Sequence, residues 1–67
     1  MATRTFAMNL KRVRLKRGLT QVQLAKKLHM KQPHLAMLES GARRNPSLDT
    51  LRRLAKALRC NISELVE

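Results

Sequence analysis

The sequence predicts an all-α fold, a compact bundle of five short helices around one core. Apolar residues recur at three- and four-residue intervals, and strand-like alternation is nearly absent. Phe6 is the sole aromatic residue, and β-branched residues are scattered. Gly18, Pro33, Gly41 and Pro46 punctuate the chain into helix-length pieces. A chain of 67 residues has room for one domain and no second core, so residues 1–67 are expected to form a single unit, with a flexible N-terminus over about residues 1–4.

The first helix is expected to open at Thr5 as N-cap, with Phe6, Leu10 and Val13 forming its apolar face. Lys16 and Arg17 followed by Gly18 mark its C-terminus. Thr20-Gln21-Val22-Gln23 has the form of a capping box and starts the second helix. Leu24 and Leu28 point inward there, and small Ala25 permits close approach of a neighbour. The third helix should begin around Pro33, with Gln32 as cap, Leu35 and Leu38 inside, and Gly41 just past its end. Ser47 caps a fourth helix whose inner stripe is Leu48, Leu51, Leu54, Ala55 and Leu58. Asn61-Ile62-Ser63-Glu64 opens a short fifth helix anchored by Ile62 and Leu65, with Val66 exposed.

The charge is lopsided. Fifteen Lys and Arg against four Asp and Glu give a formal net charge of +11. The first acid along the chain is Glu39, and nine basic residues precede it unbalanced. Such a field opposes compaction, so a chain that keeps it is expected to meet a polyanion. Nucleic acid is the first candidate and an anionic membrane surface the second. No apolar run has the length of about 18 residues needed to cross a bilayer. A membrane-surface helix would also need an apolar face that the core already uses.

Other chemistry has no foundation in the residues. His29 and His34 stand five apart, off a shared helical face, and Cys60 lies far from both, so no zinc spacing exists. There is no Ser/His/Asp set, no glycine-rich phosphate loop and no pair of carboxylates placed for acid–base work. The expectation is therefore no enzyme, no metal and no cofactor. A lone cysteine without a signal peptide points to a reducing cytoplasm.

The second and third helices are short and separated by about four residues, which suggests a helix-turn-helix. The motifs Leu10-Lys11-Arg12-Val13-Arg14, Gly18-Leu19-Thr20-Gln21, Leu24-Ala25, Leu35, Leu38-Glu39 and Gly41 follow one another in order. Asn45-Pro46-Ser47-Leu48, Leu51, Leu54-Ala55, Ala57-Leu58, Ile62 and Leu65 complete the series. From Leu10 to Leu65 the chain thereby resembles the Cro/C1-type (Xre-like) helix-turn-helix family. That family has the compact five-helix, lambda-repressor-like DNA-binding fold of small phage repressors, restriction–modification controllers and many antitoxins. The chain departs from the family pattern at His29, where a glycine is usual, and at Pro33, where a polar base-reading side chain is usual.

The resemblance implies a structural ion pair between Arg14 and Glu39. It places Lys31, Gln32, Pro33, His34 and Met37 at base-reading positions. Lysine donates to guanine, glutamine pairs with adenine in a bidentate manner, and methionine and proline offer apolar contact to thymine methyls. Thr20, Gln21, Arg43, Arg44 and Asn45 fall at phosphate-contacting positions. The implied function is a sequence-specific double-stranded DNA-binding regulator, a cytoplasmic, nucleoid-associated repressor that reads the major groove as a dimer on a palindromic operator. Cys60, Ile62 and Val66 are its candidate dimer contacts, with dimerisation assisted by DNA. The alternative is an antitoxin that binds a toxin partner and autoregulates through DNA.

Overall fold

The computed structural model describes residues 3–41 and 46–66. Its elements in chain order are α1 (Thr3–Lys16), α2 (Gln21–Lys27), α3 (Gln32–Ser40), α4 (Leu48–Leu58) and α5 (Ile62–Val66), and no strand occurs among the described residues. α1 packs on α3 and α5, α2 on α3, and α4 on α5. Leu10, Leu24, Leu35, Leu54, Leu58 and Leu65 are fully buried at the centre, so every helix contributes a leucine to one core. The inner face of α1 is Phe6, Ala7, Asn9, Leu10, Val13 and Arg14. The amide of buried Asn9 donates to the Leu65 carbonyl at 3.1 Å and ties α1 to α5. Buried polar groups must find such partners or destabilise the fold, and no buried side-chain N or O among the described residues lacks one.

Three helices end in the same device. A residue in left-handed conformation follows the helix, and the next N–H reaches back five residues. Leu19 N–H donates to Arg14 O after Gly18, Met30 N–H to Ala25 O after His29, and Cys60 N–H to Ala55 O after Arg59. The residue past each turn, Leu19, Met30 or Cys60, then packs against the core. This explains the partial burial of Cys60, whose thiol pKa burial pushes up, with Glu64 adding to the rise and Arg17 opposing it. Gly18 has φ 71° and open space around it, so backbone conformation rather than crowding favours glycine there.

Several sequence expectations shift. α1 starts at Thr3, so Thr5 is a helical residue rather than the cap. Burial of Phe6 and Ala7 holds the first turn on the core and outweighs the capping preference. α3 starts at Gln32, with Lys31 at the cap position and Pro33 inside the first turn. Proline loses nothing there, because the first N–H groups of a helix have no partner anyway. Leu48 is 55% exposed, since α4 begins beyond the reach of the core; Leu51 is half-buried and Leu54 fully buried. Val66 is half-buried rather than exposed. At Asn61 only one arm of the expected box is seen, the main-chain N–H donating to the Glu64 carboxylate at 2.8 Å.

His29 holds φ 55° without being a glycine, a conformation costing about 1–2 kcal/mol for an L-residue with a Cβ. His29→Gly should therefore raise the unfolding free energy by about 1 kcal/mol, less the extra chain entropy of glycine. Urea denaturation measures this, and a loss of stability would mean that the imidazole makes a compensating contact.

Candidate nucleic-acid interface

The site is built outward from a buried ion pair. Arg14 points from α1 to the end of α3, where its Nε donates to Glu39 Oε2 at 2.6 Å and its Nη2 to Oε1 at 3.1 Å. Its Nη1 donates to the Leu19 carbonyl at 2.7 Å, in the turn before α2. Only 8% of the arginine side chain and 3% of the glutamate side chain are exposed. One guanidinium thus joins α1, the α1–α2 turn and α3 with bidentate geometry.

Two glutamines extend this network to the surface. Gln21 Nε2 donates to Glu39 Oε1 at 3.2 Å, and Gln32 Nε2 donates to Gln21 Oε1 at 2.7 Å. A carboxylate only accepts, so it orients the Gln21 amide with nitrogen inward and oxygen outward. That oxygen then fixes the Gln32 amide at the start of α3. Gln32 retains its own carbonyl oxygen and a second amide hydrogen, the acceptor–donor pair that complements adenine N6 and N7.

The sequence-predicted residues of α2 and α3 flank this bond between Gln21 and Gln32. Lys31, Pro33 and Met37 are exposed, and Gln32 and His34 are half-buried. Leu35 and Leu38 occupy the opposite, buried side of α3. Thr20 caps α2 in a complete capping box, its Oγ1 accepting from Gln23 N–H at 3.1 Å and its own N–H donating to Gln23 Oε1 at 2.8 Å. The Thr20 hydroxyl proton and one Gln21 amide hydrogen remain for an outside acceptor. Arg43, Arg44 and Asn45 lie outside the described residues. Cys60, Ile62 and Val66 sit apart from this face, partly buried against the core. Sequence reasoning missed the Gln21–Gln32 bond, which joins residues eleven apart with no local signal. It also missed exposed Ser40, which follows Pro33 and Met37 at helical spacing on the outer face of α3.

The helix-turn-helix family model HTH_3 matches residues 10–65. The chain belongs to this helix-turn-helix family. Among curated proteins it is 44% identical over 62 residues to the immunity repressor protein of Bacillus phage phi105, an alignment covering 92% of the chain and 42% of that repressor. The chain thus spans about two-fifths of that relative's length. The restriction–modification controller protein C.AhdI from Aeromonas hydrophila superposes with a TM-score of 0.86 at 32% identity, covering 94% of each chain. The clp gene regulator ClgR from C. glutamicum superposes with a TM-score of 0.89 at 21% identity, covering 98% of this chain and 84% of its own, a likeness of fold. Among the described residues no helix is long and apolar enough to cross a membrane.

In this helix-turn-helix protein the buried pair predicts a specific double-mutant cycle. Arg14→Met or Glu39→Leu alone should each cost about 3–5 kcal/mol, because each leaves one charge buried without its counter-ion. The double variant should cost well under the sum, because both desolvation penalties vanish together. Additive losses in urea denaturation would show that the pair is not coupled.

Proposed function

We propose that the protein is a sequence-specific repressor that inserts α3 into the major groove and binds a palindromic operator as a homodimer. The observation that carries this is the braced Gln32. A flexible amide at the mouth of α3 is held by Gln21, which is held in turn by a buried carboxylate. Bracing lowers the entropy cost of docking and fixes which edge of the amide faces the base.

In this reading Lys31, Gln32, Pro33, His34 and Met37 approach base edges. Gln32 pairs with adenine, and Met37 and Pro33 contact apolar thymine methyls. Thr20, Gln21, Arg43, Arg44 and Asn45 engage phosphates and set the register. One helix-turn-helix touches few bases, so two copies on half-sites about 34 Å apart give the discrimination a regulator needs. Ile62 and Val66, with Cys60 beside them, are the proposed contacts between copies. The relation to a phage immunity repressor supports repression as the outcome. The net charge of +11 supplies the sequence-independent attraction. Such a regulator works in the cytoplasm, at the nucleoid.

Selection from random duplexes should return a two-fold symmetric consensus, and an asymmetric one would overturn the dimer. On the selected site, Gln32→Ala should lose about 1–3 kcal/mol of discrimination at one base step while binding to random duplex is unchanged. Gln21→Ala should relax the same base step more weakly, because it removes the brace and keeps the reader. Equal losses on both duplexes would make Gln32 a backbone contact. The logarithm of the binding constant should fall with that of salt by about 0.9 per phosphate neutralised, and a flat titration would reject polyanion binding. A small protein co-purifying in stoichiometric amount from the native host would favour the antitoxin alternative.

A further inference from the structure

The end of α2 and the C-terminal half of α4 flank an open cleft of about 430 Å3, lined by Lys27, Leu28, His29, Arg53, Lys56 and Arg59, with Ala57 between them. It adjoins a recess of about 200 Å3 that shares Lys27 and Arg59 and adds Arg17. Among the described residues, none of those assigned above to bases or phosphates lines either hollow. No acidic residue lines them among the described residues.

Two of these cations have a structural task. Helix C-termini carry partial negative charge on unpaired carbonyls. Arg53 donates to the Leu28 carbonyl at the end of α2. Arg17 donates through Nε to Leu58 O at 2.7 Å and through Nη2 to Arg59 O at 2.9 Å, at the end of α4. With those carbonyls engaged, the helix ends no longer account for Lys27, Lys56 and Arg59. All three are exposed, and none forms a salt bridge among the described residues.

Backbone strain points to the same place independently. The two non-glycine residues of positive φ among the described residues are His29 (φ 55°) and Arg59 (φ 54°), and both line this cleft. Elsewhere the chain uses glycine for that conformation, at Gly18 and Gly41. An imidazole on one wall and a guanidinium on the other thus stand where glycine would be less strained.

We propose that this cleft binds a small, multiply charged phosphoanion of the pyrophosphate or nucleoside-polyphosphate class, at a site separate from the DNA interface. Cations converge from both walls, which suits a compact anion better than a duplex backbone whose charges run in an extended line. The volume falls within the range of about 300–1,000 Å3 typical of small-ligand sites. Half-buried Ala57 gives a small apolar contact for an organic moiety.

Sodium pyrophosphate titrated into the 15N-labelled full chain at constant ionic strength, with sodium chloride as control, tests this. Saturable amide shifts confined to residues 27–29 and 53–59 are expected. Lys27→Gln with Lys56→Gln should weaken pyrophosphate binding at least about tenfold, while operator affinity falls far less and its slope against salt is kept, since neither lysine is among the residues proposed to touch bases or phosphates. His29→Gly with Arg59→Gly should also weaken it while the protein remains folded, which separates ligand loss from unfolding. Shifts that never saturate, or that match chloride, would overturn the site. So would a double lysine variant that loses duplex affinity and salt dependence, which would place the cleft inside the DNA footprint.

Discussion

The buried pair of Arg14 and Glu39 is the constraint on which the rest depends. A glutamate side chain 3% exposed has to keep its counter-ion, and that counter-ion comes from another helix. Satisfying it sets the distance between α1 and α3 and pins the turn before α2 through the Leu19 carbonyl. The unused bonding capacity of the carboxylate then reaches Gln21 and, through it, Gln32. A stabilising contact in the interior and the posture of Gln32, the proposed base reader, are therefore one network. Such a network gives specificity of geometry more than net stability, since an apolar replacement of both ions often folds as well.

The same chain shows how a strongly basic sequence packs with so few acids. With 15 basic and four acidic residues, carboxylates cannot serve as counter-groups for most cations. Main-chain carbonyls at helix ends take that role instead. Arg14 reaches Leu19 O, Arg17 reaches Leu58 O and Arg59 O, and Arg53 reaches Leu28 O. The bonds from Arg17 and Arg53 satisfy acceptors that α4 and α2 leave orphaned and place positive charge against the negative ends of those helices, whereas the bond from Arg14 pins the turn before α2. The arginines close helix ends that would otherwise be exposed or strained, and the remaining cations stay available to anions outside the molecule.

Much of the architecture was legible in the residues. Leucines at helical spacing, the Thr20 and Ser47 caps and the glycines after α1 and α3 are local signals, and local physics read them correctly. Boundaries failed where distant packing overrode a local preference. Thr5 lost its cap role to the burial of Phe6 and Ala7, and Gln32 was drawn into α3. Leu48 kept the spacing of a core residue but lies past the end of the core.

By itself the sequence determined the all-helical fold, the order of its elements and the presence of a helix-turn-helix, because hydrophobic period, caps and turn residues act over a few positions. It also determined the net charge of +11, because net charge is a sum over residues and needs no coordinates. The tertiary structure alone decided that Gln32 is braced by Gln21, that helix ends are closed by arginines far along the chain, and that four Lys and Arg residues and His29 line one cleft. Those are meetings between residues distant in sequence, and no local periodicity encodes which side chain will stand opposite which once the core has closed.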